Sequence, residues 1–183
     1  YYNTSGINNT VVGYRGLYNN TTGQYNCSFG LYSMKSNTIG VENTAVGYLS
    51  MLQNTTGVQN VAVGAYALQN NTTGIANVAV GTNALLNNTS GVYNVAVGQA
   101  SLQYNTTGNN NTAVGFYSLL LNVIGSNNSA FGRYALRNNT VGSSNNAFGF
   151  SALLNNTTNN NNAFGYQALT ANTTGAYNSA FGH

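Results

Sequence analysis

One spacing constrains this chain more than any other. Glycine recurs at Gly13, Gly30, Gly47, Gly64, Gly81, Gly98, Gly115, Gly132 and Gly149, each step seventeen residues, then at Gly165 after sixteen and Gly182 after seventeen. A fixed period this short marks an array of one small unit stacked on copies of itself. Residues 1–183 therefore read as a single repeat array of about eleven coils, the first and last incomplete, with one residue deleted between 149 and 165. The chain opens inside a unit at Tyr1-Tyr2-Asn3, and it is expected to be a segment of a longer array.

Aligned unit on unit, the chain resolves into columns. Val or Phe precedes every one of these glycines, and before it stands Val11, Ser28 and then Ala45, Ala62, Ala79, Ala96, Ala113 and their successors. Four residues beyond the glycine comes Leu or Met, as in Met51, Leu68 and Leu85. A second glycine column passes through Gly57, Gly74 and Gly91. Two Asn columns never vary in the full units. The first includes Asn20, Asn37, Asn54, Asn71, Asn88 and Asn105, the second Asn26, Asn43, Asn60, Asn77, Asn94 and Asn111.

Seventeen residues are too few for a strand-plus-helix repeat, which needs roughly 20–29. The expected fold is all-β, a parallel β-solenoid or β-roll with one 17-residue coil per repeat. Strands are expected at Asn60–Val63 and Tyr66–Gln69 and at their counterparts. The glycines would turn the corners, where positive φ suits Gly. Stacking brings each Asn about 4.8 Å from its copy, so the amides can form ladders. Asn fits such a ladder and Asp does not, because a neutral amide both donates and accepts. Val63 and Leu68 are expected to meet inside. Alternation along a strand then turns Ala62 outward, making Ala45, Ala62, Ala79, Ala96 and Ala113 the candidate self-association face, for a trimer or for lateral and filament packing.

Composition narrows function mainly by exclusion. Charged residues make up 3% of the chain: Arg15, Lys35, Arg133, Arg137 and Glu42. The +3 net charge is scattered, which is unsuited to phosphate neutralisation and argues against a nucleic-acid partner. No Asp is present and the one histidine is His183, so acid–base catalysis, a Ser-His-Asp triad and a metal-ligand set all lack their residues. The chain is read as a non-enzyme without a cofactor, and without the apolar run of about twenty residues that spans a bilayer. With 42% hydrophobic residues in fixed columns and no Pro, it reads as ordered.

The motifs Asn43-Thr44-Ala45-Val46-Gly47-Tyr48 and Asn54-Thr55-Thr56-Gly57, with Ala67-Leu68 and Ala168-Leu169 between such elements, resemble a known repeat. It is similar to the 17-residue arrays of phage-type tail-fibre and bacterial surface fibre proteins, and more distantly to the head repeats of trimeric autotransporter adhesins. The resemblance covers the whole chain. It implies a stalk or adhesive surface, often trimeric, on an extracellular, cell-surface or virion-surface fibre. Many such fibres end in an autocatalytic chaperone domain, and nothing here matches one.

Sequons fall on the first Asn column at Asn20, Asn54, Asn71, Asn88, Asn105, Asn156 and Asn172, which are candidate glycosylation sites. Asn-Thr-Thr-Gly is also plain turn chemistry. Tyr side chains in variable columns could stack between coils or on sugars. The leading expectation is a structural, self-associating fibre segment. An adhesin-like, glycan-binding module is the alternative, and an ice-binding solenoid a third.

Overall fold

A computed structural model describes residues 2–182; Tyr1 and His183 lie outside them. Eleven three-residue strands form one sheet: β1 Thr10–Val12, β2 Cys27–Phe29, β3 Thr44–Val46, β4 Val61–Val63, β5 Val78–Val80, β6 Val95–Val97, β7 Thr112–Val114, β8 Ser129–Phe131, β9 Asn146–Phe148, β10 Asn162–Phe164 and β11 Ser179–Phe181. All pairings are parallel and strictly sequential, with Ala62 opposite Ala79 and Val63 opposite Val80. The chain is an all-β solenoid, and among the described residues it contains no helix.

The middle residue of each strand faces in, which reverses the expected inside and outside. Ala45, Ala62, Ala79, Ala96 and Ala113 are completely buried, while Val63 keeps 37% of its surface. The candidate self-association face is therefore core. Volume explains the reversal, because a coil this thin has room at the strand only for a methyl group. The first coil shows it by compensation. Val11 replaces Ala there and Gly16 stands where other coils carry Ala67 or Ser50. A Cβ on Gly16 would come within 2.8 Å of Val11 Cγ1. In the second coil the Ser28 hydroxyl donates to the Ser33 carbonyl, 3.0 Å across the same gap. The Ala62, Ala67 and Leu68 columns together make one continuous hydrophobic core.

The expected second strand is also absent. Tyr66 has φ 61° and Leu68 φ 50°, both left-handed, and every coil repeats this pair of positive φ values. The segment winds in overlapping turns, with Ala67 N–H donating to the Gly64 carbonyl at 3.4 Å and Asn71 N–H to the Leu68 carbonyl at 3.1 Å. Between them, Tyr66 N–H reaches back to the Tyr48 carbonyl at 2.9 Å and Leu68 N–H reaches forward to the Ala84 carbonyl at 3.0 Å. The backbone is still paired coil to coil, but through turns. A left-handed Leu costs about 1–2 kcal/mol, and burying its whole side chain returns about 1.5–3 kcal/mol. Burial is why Leu or Met, and not Asn or Gly, holds this position.

The glycine columns differ in cause. Gly64 sits at φ 132°, beyond the reach of residues with a Cβ. Gly74 shows no such φ; there a Cβ would collide with the Asn71 amide oxygen and lie 2.7 Å from the Gly91 carbonyl oxygen. The first column is a true corner, the second a close approach.

Candidate functional site

The chemistry of this chain is concentrated in its two amide ladders, and both are buried except at the ends of the stack. In the first, Asn71 Nδ2 donates to Asn54 Oδ1 one coil back at 2.9 Å and to the Gly74 carbonyl at 3.3 Å. In the second, Asn77 Nδ2 donates to Asn60 Oδ1 at 3.1 Å and to the Gly91 carbonyl at 2.8 Å, while Asn77 N–H donates to that same Asn60 Oδ1 at 3.0 Å. Asn20, Asn37, Asn54, Asn71, Asn88, Asn105 and Asn26, Asn43, Asn60, Asn77, Asn94, Asn111 are all buried. The two ladders converge on one carbonyl per coil: Gly74 accepts from Asn71 and Asn60. These Asn side chains are structural, and they present nothing to a ligand.

The same geometry speaks against the candidate glycosylation sites. Asn20, Asn54, Asn71, Asn88, Asn105 and Asn156 have at most 1% of their surface free. The nitrogen that would carry a sugar is already a donor inside the stack. Asn172 is half-buried and donates to Asn156 Oδ1 and the Gly175 carbonyl. The neighbouring column, Asn70 and its copies, lies half-buried at the surface. The Thr72 hydroxyl is likewise turned along the axis, donating to the Thr89 carbonyl at 3.0 Å. Neither Thr72 nor Thr73 belongs to a strand.

The missing residue leaves a clear scar. Thr158 takes over the role of the absent second glycine, its carbonyl accepting from Asn145 at 2.7 Å and Asn156 at 2.8 Å. Asn156 no longer donates to Asn139, whose Oδ1 is buried without a partner. The strand register survives, with Ala147 opposite Ala163. The deletion therefore breaks the first ladder and spares the sheet.

Two features face outward. The first is the solvent side of the strands, an uncharged row of Val and Phe running through Val46, Val63, Val80 and Val97 to Phe131, Phe148 and Phe164. Their rings stack nearly flat, with centroids 4.7 Å apart for Phe131–Phe148 and 4.8 Å for Phe148–Phe164. The second is a knot of aromatic and cationic side chains on the turn side at Phe116, Tyr117, Arg133, Tyr134 and Arg137. Arg133 lies 4.6 Å from the Tyr134 ring centre and donates to its hydroxyl at 2.8 Å. In the sequence Arg133 and Arg137 stand out only as scattered charges and the tyrosines only as rings in variable columns, and Phe116 carries no distinct signal. The column alignment sets them together, since coils seven and eight are where Tyr follows Tyr and both are flanked by bulky or cationic neighbours.

Among the described residues, no three His, Cys, Asp or Glu lie close enough together to hold a metal ion, and no helix is long and apolar enough to cross a membrane. Glu42, the one carboxylate side chain, accepts from Gln59 Nε2 at 2.9 Å. Set against protein-family models, curated proteins and solved structures, the chain shows no significant match to any.

Proposed function

We propose that the chain is a structural segment of an extracellular fibre, and that it associates with a second copy through the outward Val/Phe face of its sheet. The observation that carries this reading is the unbroken, uncharged row from Val12 to Phe181, with Val46, Val63, Val80 and Val97 each more than a third exposed. Two positions back along each strand, and so on the same face, stand Thr44, Val61, Val78, Val95 and Thr112, so from β3 to β7 the face is β-branched across its width. Exposed sheet faces of this kind are normally broken by charge, and here none interrupts either column.

Two such faces can meet about 10 Å apart, as in a β-sandwich. Eleven strands give a face about 48 Å tall and about 10 Å wide, so pairing covers roughly 1,000 Å² over both partners, the lower bound of a specific interface. Sedimentation of the full chain should show dimers or larger species. Val63→Lys with Val80→Lys should return it to monomers while leaving the thermal melt nearly unchanged. A monomer at all concentrations would refute the reading.

A further inference from the structure

On the turn side, Tyr117, Tyr134, Arg137 and Leu154 line a shallow, open cleft of about 330 Å³. Tyr117 and Tyr134 occupy the same column on successive coils, and so do Arg137 and Leu154. The solenoid thus sets two rings beside one guanidinium and one aliphatic side chain on a rigid frame. The rings lie 6.1 Å apart and tilted by 33°. They are backed by Phe116, 4.0 Å from Tyr117, and by Phe150, 6.0 Å from Tyr134.

The guanidinium is incompletely used. Arg137 Nη1 donates to Asn138 Oδ1 at 3.2 Å, and Asn138 is itself held by its bond to Asn155 at 2.8 Å. Arg137 Nε is buried and has no partner. That nitrogen is closed off from the cleft, and no acidic side chain neutralises the guanidinium, because Glu42, the chain's one carboxylate side chain, lies more than five coils away. Arg133 adds a second cation, 4.6 Å from the Tyr134 ring centre and 5.4 Å from that of Phe116. Two cations without a counter-charge, Arg133 exposed and Arg137 half-buried at the cleft wall, call for an oxyanion that can pair with the solvent-facing guanidinium nitrogens. Tyr117, Tyr134 and Leu154 offer apolar surface for the C–H face of a saturated ring. The cleft is open, so it suits one unit of a chain running past the site better than an enclosed small molecule.

We propose that this cleft binds an acidic saccharide unit. Its carboxylate or sulfate would pair with Arg137, and its pyranose ring would lie against Tyr134 and Tyr117. The site is independent of the Val/Phe face, and either proposal can fail without the other.

The test titrates the full chain with hyaluronan oligosaccharides (carboxylated), heparin oligosaccharides (sulfated), neutral dextran and polyglutamate. One or both acidic sugars should bind, dextran should not, and polyglutamate should bind at least about tenfold more weakly than the better sugar. Arg137→Gln, Arg137→Lys and Tyr134→Ala should each weaken sugar binding about tenfold or more, because Lys keeps the charge and loses the fork. Arg15→Gln should leave binding unchanged, and far-UV melting confirms that each variant folds. Equal binding of polyglutamate and sugar, full activity of Arg137→Lys, or no binding of either acidic sugar would overturn the proposal.

Discussion

Alanine carries opposite meanings at two positions of one coil. Ala62 is wholly buried in extended backbone, and Ala76 sits half-buried at φ 54°. Replacing Ala62 by Gly removes a core methyl group and loosens the unfolded chain, and should destabilise by about 1–2 kcal/mol. Replacing Ala76 by Gly relieves a left-handed residue and should stabilise by up to about 1 kcal/mol. Thermal melts of the two variants should move in opposite directions; a shared direction would contradict the assigned backbone. Sequence alone does not separate these alanines. Hydrophobicity ranks Val above Ala and so turned Val63 inward, while the thinness of the coil, which decides the matter, is visible only in the pairing of Val11 with Gly16. Left-handed Leu68 and Tyr66 carry no local signal either, since neither residue type favours that conformation.

At the level of the element, the ladders were readable because their requirement is chemical. Only a side chain that both donates and accepts can repeat along a stack, and both invariant Asn columns meet that requirement. Asn77→Asp tests it. The carboxylate would lose the bonds to Asn60 Oδ1 and the Gly91 carbonyl, and set like acceptors against each other. The cost at neutral pH should be at least about 3 kcal/mol. Burial raises the folded-state pKa of this new group above its unfolded value of about 3.9. Its neutral form can donate, so part of the lost stability should return on acidification below about pH 4 and disappear again as pH rises through the raised folded pKa. Denaturant midpoints across that range, measured against the parent chain, check both size and sign.

For the whole molecule, the period predicted a continuous parallel stack, and the sheet runs unbroken through all eleven strands. The deletion could be located in the sequence, but its consequence could not. Nothing in Thr157-Thr158-Asn159-Asn160 says that the sheet absorbs the loss while the first ladder opens. Inserting one Gly between Thr158 and Asn159 should restore Asn-Thr-Thr-Gly, pair Asn139 Oδ1 again and raise stability by about 1–3 kcal/mol. A calorimetric scan with no rise would show that the orphaned oxygen is harmless.

That interruption also bears on mechanics. The inter-coil hydrogen bonds run along the stack, so tension applied along the axis loads the coils in series. Each coil peeled away would release about 55 Å of chain, the extended length of seventeen residues less one inter-strand step. In a series of near-identical links the weakest gives first, and here it is the junction of Asn139 with Asn156, where one of the two amide chains is cut. A single missing residue thus installs a preferred point of yielding in an otherwise uniform rod.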